Sequence, residues 1–160
     1  MNVAILMGSK SDYSMVEKTE KVLKDFDVHF TTKILSAHRT PDETRAFVVE
    51  GDKNGVEVFI AVAGMAAHLA GSVAAYTTLP VIGVPMKSDA LSGLDALLST
   101  VQMPPGVPVA TVGINGMENA ALLAIQILSV KYPELKEKLR KYKDEMKDKV
   151  ISQGKEIEEK

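Results

Sequence analysis

The chain has 160 residues and a formal charge of −2, is 46% hydrophobic and 25% charged, and contains neither cysteine nor tryptophan. A chain of this length buries one core, roughly 68–70% of its unfolded surface, so a single domain over 1–160 is expected, and without cysteine it has no disulfide, thiolate metal site or thiol nucleophile. The last 30 residues carry ten basic and eight acidic groups, leaving an acidic body at 1–130 and a sign-mixed tail at 131–160; with no clustered basic face, nucleic acid is excluded as a partner.

Residues 2–7 (NVAILM) form a continuous apolar run ending at Gly8, the pattern of a strand buried on both faces. No basic stretch precedes it, and the apolar runs further on are broken by Gly and Pro and too short to span a bilayer. The expectation is a cytoplasmic protein with no membrane partner. Met15, Thr19, Val22, Leu23 and Phe26 then recur at helical spacing. Residues 28–35 read as a second strand. After it, Thr40-Pro41-Asp42-Glu43 has the form of an N-cap, a proline at the first helical position and a capping-box glutamate.

Residues 56–63 (VEVFIAVA) read as the third strand, 66–77 as an alanine-rich helix and 79–84 (LPVIGV) as the fourth strand. A helix is expected over 91–101, a loop over 102–106 and a fifth strand over 109–112. Residues 119–130 (NAALLAIQILSV) are apolar nearly all round, which suits a helix buried on more than one side, with another subunit among its surroundings. The final helix follows Pro133, with Leu135, Leu139, Tyr142, Met146 and Val150 in one stripe. Glu134/Lys138, Glu137/Lys141 and Glu145/Lys149 are spaced as i,i+4 pairs.

Strand and helix periods alternating in this way imply β-α units and a parallel sheet. The expected fold class is α/β, a flavodoxin-like three-layer α/β/α sandwich with a five-stranded parallel sheet over 1–130, plus a C-terminal helical extension over 131–160. Ligands of such sheets bind outside the carboxyl ends of the strands, at the switch point beside the first strand. That directs attention to the loops at 8–12, 36–40, 64–71 and 86–93.

Gly8-Ser9-Lys10-Ser11-Asp12 supplies tight backbone approach, two hydroxyls and the N–H groups of a helix start, which suit an anion, while Asp12 suits ribose hydroxyls. An N-cap role for Ser11 or Asp12 is the plainer alternative. Ser36-Ala37-His38-Arg39 places a hydroxyl, an imidazole and a guanidinium at the mouth of the second strand. Arg39 can clamp a phosphate in bidentate fashion, and histidine is the side chain that exchanges protons near neutrality. Ala63 through Gly71 has almost no side chains to spare, so a flat ligand can lie against its backbone N–H and C=O groups. His68 either faces that ligand or is a buried structural histidine, and His29 within the second strand reads as packed or solvated. The three histidines do not form a facial ligand set, so no metal is expected.

The runs MGSKSD (7–12), SAHRTPDE (36–43), AGMAAHLAG (63–71), LPVIGVP (79–85), LSGLDALLSTVQMPPGVPVATV (91–112) and NAALLAIQIL (119–128) resemble, in order and over essentially the whole chain, the N5-carboxyaminoimidazole ribonucleotide mutase family of de novo purine (IMP) biosynthesis. The resemblance implies an isomerase that interconverts N5-carboxyaminoimidazole ribonucleotide and 4-carboxyaminoimidazole ribonucleotide, with no cofactor and with CO2 as a trapped intermediate. It implies His38 as general acid/base, and Ser9, Ser11, Asp12, Ser36, Ala37, Arg39, Gly64, Ala66, Ala67, His68 and Leu69 as substrate-binding residues. It also implies a homo-oligomer, an octamer, coupled functionally to the ATP-dependent synthetase that makes its substrate. The alternatives are a direct CO2-dependent aminoimidazole ribonucleotide carboxylase and a non-catalytic nucleotide-binding module of the same fold. Two positions depart from the family run AGGAAHLPG: Met65 stands for Gly, where it could narrow the pocket or point into the core, and Ala70 stands for Pro.

Overall fold

A computed structural model describes residues 1–158; the last two residues of the expected extension, 159 and 160, lie outside the described residues. Five strands form one parallel sheet: β1 (Asn2–Met7), β2 (His29–Ile34), β3 (Val58–Gly64), β4 (Val81–Met86) and β5 (Ala110–Thr111). Their order is β2-β1-β3-β4-β5, with every pairing parallel. The helices are α1 (Tyr13–Asp25), α2 (Pro41–Lys53), α3 (Leu69–Ala74), α4 (Leu94–Val101), α5 (Met117–Leu128) and α6 (Pro133–Glu158). This is the flavodoxin-like sandwich with a C-terminal helix that the sequence pattern implies.

The two-residue period of a strand divides β1 between two cores. Val3, Ile5 and Met7 pack with α1, α5 and the start of α6, whereas Ala4 and Leu6 pack with α2 and α3. Each fully buried Val, Leu or Ile contributes about 1.5–3 kcal/mol relative to exposure, so the centre of the sheet is the best anchored part of the molecule. β2 is the edge, and its outward residues, including His29, are exposed. Polar clasps join the layers. The Thr19 hydroxyl on α1 donates to the Met117 carbonyl at 2.9 Å, and the Thr32 hydroxyl on β2 donates to the buried Glu20 at 2.6 Å.

Helix boundaries move where the backbone is left-handed. The helix expected over 66–77 is reduced to α3 because Met65 has φ +56° and the Ala67 N–H turns back to the Met65 carbonyl at 2.8 Å. α4 starts at Leu94 rather than 91 because Ser92 (φ +54°) and Gly93 (φ +90°) cannot join a right-handed helix. A Cβ on Gly93 would also lie 2.8 Å from the Ile114 side chain and 3.0 Å from the Lys87 Cα. The capping box at α2 does not form. The Thr40 hydroxyl instead accepts from the Ser36 N–H at 2.8 Å and donates to the Ser36 carbonyl, closing the preceding loop.

The apolar surface of α5 is met within the chain, by α1, the sheet and α6, so its composition does not by itself require another subunit. The large exposed apolar face lies instead on and before α4: Leu91, Leu94, Leu98 and Val101. On α6 the expected stripe docks only through Leu135, Leu139 and Tyr142, while Met146 and Val150 are exposed. None of the three expected i,i+4 ion pairs forms. Lys138 reaches across to Asp27 at 2.6 Å, Glu137 pairs with Arg140, and Glu145 pairs with Lys141. No helix among the described residues is long and apolar enough to cross a membrane.

Gly83, central in β4, permits α4 to sit on the sheet, because a Cβ there would lie 2.3 Å from the Thr100 side chain and 3.0 Å from Val109. Gly83→Ala is therefore expected to destabilise by about 1–3 kcal/mol through overpacking. At roughly 2–4 °C per kcal/mol for a chain of this size, thermal denaturation will show the loss. Glu57, just before β3, accepts from Lys131 Nζ at 2.8 Å and Tyr132 Oη at 2.9 Å. Burial pushes its carboxyl up, but these two hydrogen bonds and the Lys131 charge outweigh burial and leave it below the ordinary value near 4.5. A lowered folded value stabilises above that pH, and the contribution is lost as pH falls through the folded value. Glu57→Gln should lower the melting temperature at pH 7 by the equivalent of about 1 kcal/mol or less, and melts at successively more acid pH below 4.5 should show the difference from wild type shrinking.

Candidate active site

Four loops leave the carboxyl ends of β1, β2, β3 and β4 on one edge of the sheet and enclose a cavity of about 750 Å³. Ser9, Ser11, Asp12, Ser36, Ala37, His38, Arg39, Gly64, Ala66, His68 and Leu69 all border it. Ala67 does not. It is buried beneath the loop, with its N–H donating to the Met65 carbonyl at 2.8 Å.

Hydrogen-bond donors gather around Arg39 and Ser9. Arg39 Nη2 donates to the Gly8 carbonyl at 2.6 Å, which ties the loop after β2 to the end of β1. Its backbone N–H and Nε both reach the Ser36 hydroxyl, at 3.3 and 3.4 Å. The guanidinium is thus oriented by protein groups while its other N–H donors stay available to a ligand. Across from it, a single 3-10 turn (Lys10–Asp12) leads into α1, with Ser9 as its N-cap. The Ser9 Oγ accepts from the Ser11 N–H at 3.3 Å and the Ser11 hydroxyl at 2.9 Å. Ser9 is therefore both the local cap and part of the cavity lining. Hydroxyls, backbone N–H groups at a helix start and a fixed guanidinium together match a phosphate.

Asp12 sits beside these donors. Burial raises its carboxyl above the ordinary value, against the lowering effects of the Ser11 hydroxyl and the Ser9 backbone. A half-buried carboxylate short of donors is suited to accept from ligand hydroxyls, whose donation compensates its desolvation.

Two imidazoles also line the cavity. The rings of His38 and His68 lie 5.1 Å apart, tilted by 35°, and both are exposed to the cavity. His68 therefore faces the site and is not a buried structural residue. Met65 is also part of the lining, 69% exposed and in neither core, so its side chain does not point inward as a packing residue would. The fourth loop, expected at 86–93 from the fold, lines the cavity through Met86, Lys87, Ser88 and Asp89, none of which the motifs single out. They are brought in by strand order, since β4 ends beside β3, and by the Lys87 N–H donating to Asn115 Oδ1 at 2.9 Å. Among the described residues, no three His, Asp or Glu side chains converge as a metal-ligand set.

The family model for AIR carboxylase matches residues 2–149. The chain is 59% identical over 145 residues to a protein of Pyrococcus abyssi named N5-carboxyaminoimidazole ribonucleotide mutase, covering 91% of this chain and 83% of that one. A protein of the same name from Saccharolobus solfataricus is 53% identical over 150 residues, covering 94% and 95%. The phosphoribosylaminoimidazole carboxylase of Saccharomyces cerevisiae is 47% identical over 156 residues, 98% of this chain but 27% of that longer protein. Among solved structures, Treponema denticola PurE superposes with a TM-score of 0.87 at 32% identity, covering 94% of each chain.

If Arg39 is the anion clamp, Arg39→Ala should weaken binding of a small phosphomonoester by about 1.5–3 kcal/mol, roughly ten- to a hundredfold. Titration calorimetry on wild type and variant measures this, and equal affinities would refute the clamp.

Proposed function

The chain belongs to the AIR carboxylase family, and from that premise we propose that it is the mutase that interconverts N5-carboxyaminoimidazole ribonucleotide and 4-carboxyaminoimidazole ribonucleotide in purine biosynthesis. The observation that carries the reading is a single cavity lined by an oriented guanidinium, paired serines and two imidazoles. Arg39, Ser9, Ser11 and Ser36 hold the phosphate, and Asp12 accepts from the ribose hydroxyls. Gly64, Ala66 and Leu69, with Ala37 opposite, leave room for the flat aminoimidazole, with His38 and His68 beside its reacting edge.

In the forward direction the C–N bond of the carbamate breaks, CO2 is released and the ring nitrogen substituent takes a proton from His38. The electron-rich C4 then attacks the CO2, and the C4 proton returns to His38. Atoms and protons balance, and no resident cofactor is assigned. Keeping CO2 beside C4 replaces a bimolecular encounter with a near-unimolecular step. The reading includes a cytoplasmic homo-oligomer, an octamer coupled to the synthetase that supplies the carbamate. The exposed leucine face of α4 supports an assembly of copies.

His38→Asn should lower turnover of the N5-carboxylated ribonucleotide on the order of 10²–10⁴-fold while leaving its binding within a few-fold. An unchanged rate would remove His38 from the chemistry. Turnover of aminoimidazole ribonucleotide with bicarbonate, and not of the carbamate, would replace the mutase with a direct carboxylase.

A further inference from the structure

Four non-glycine residues among those described adopt positive φ: Asp27, Met65, Ser92 and Asn115. Asp and Asn tolerate the left-handed region through their short polar side chains, and Ser is small and polar. Met65, at φ +56°, is long and apolar and has no such excuse. Nor does packing compensate it: the side chain belongs to neither core and is 69% exposed. Folding alone would be served as well or better by glycine at this corner. Strain of this kind, held at a cavity wall, points to something the side chain does for an occupant of the cavity.

Its position narrows what that is. Met65 follows directly on β3 and precedes Ala66, in the same loop as His68, and it lines the cavity together with His38. The thioether is apolar and flexible and packs well on a ring face. In the proposed reaction the intermediate is neutral, linear CO2, which forms no ion pair, so the cavity walls have to keep it in and water out.

We propose that Met65 is the apolar cover of the reacting end of the cavity, lying over the aminoimidazole and retaining the released CO2. This rests on the mutase reading above. Met65 acts on the fate of CO2 and not on proton transfer, so its removal changes how often CO2 is recaptured.

The test follows carbon. N5-carboxyaminoimidazole ribonucleotide labelled with ¹³C in the carboxyl group is turned over in unlabelled bicarbonate, and label retained in the C4-carboxylated product is measured by mass spectrometry. Wild type should retain most of the label. Met65→Gly should melt at the wild-type temperature or above it, keep the wild-type assembly size, and lose label to solvent on the order of tenfold more often, with free aminoimidazole ribonucleotide accumulating. Met65→Leu, which restores an apolar cover, should recover most of the retention. Wild-type retention in Met65→Gly would overturn the cover while leaving the mutase reading intact, as would loss of activity only through dissociation of the assembly. A wild-type enzyme that does not convert the carbamate would overturn the mutase reading itself.

Discussion

Parallel pairing of β1 with β3 is the constraint from which the site follows. Val3 to Met7 register with Val58 to Val62, and both strands are covered on both faces. Because parallel strands return by a crossover, every carboxyl end falls on the same edge of the sheet, and every loop that follows a strand meets there. The order β2-β1-β3-β4-β5 sends the chain to opposite sides after β1 and β3, opening a crevice between the loops that follow. Ser9, Arg39, His68 and Lys87, far apart in the chain, share one cavity for this reason.

Within that frame the loops are held differently. The Arg39 region is laced by hydrogen bonds to Gly8, Ser36 and Thr40, so a charged group is presented in a fixed direction before any ligand arrives. Such preorganisation reduces the entropy lost on binding. The loops after β3 and β4 are shaped instead by left-handed corners at Met65, Ser92 and Gly93, with Asn115 bracing the Lys87 backbone. A backbone strained in this way is tolerated because the strands it leaves from are buried and paired on both sides.

Apolar surface is distributed with similar economy. α5 has few polar residues because α1, the sheet and α6 enclose it. α4 keeps its apolar residues outward, since Gly83 and Thr100 bring its inner face so close to β4 that only small groups fit between. The two helices have comparable compositions and opposite fates, and the difference lies in the neighbour each meets.

What the sequence determined by itself was local and periodic. The alternating strand and helix patterns gave five strands, their boundaries to within two residues at most ends, the α/β class and the flavodoxin-like order, because burial on two faces leaves long apolar runs. The motifs at 8–12, 36–39 and 64–69 were legible because glycine, serine, histidine and arginine at strand ends have few structural reasons to cluster. Only the tertiary structure could decide what depends on through-space neighbours. It set the Thr40 hydroxyl on Ser36 instead of capping α2, sent Lys138 to Asp27 instead of Glu134, buried Ala67 and turned His68 outward. It also exposed Met65 at a left-handed corner, since a side chain's direction follows from φ and from what already fills the space around it, and neither is written in the spacing of residues.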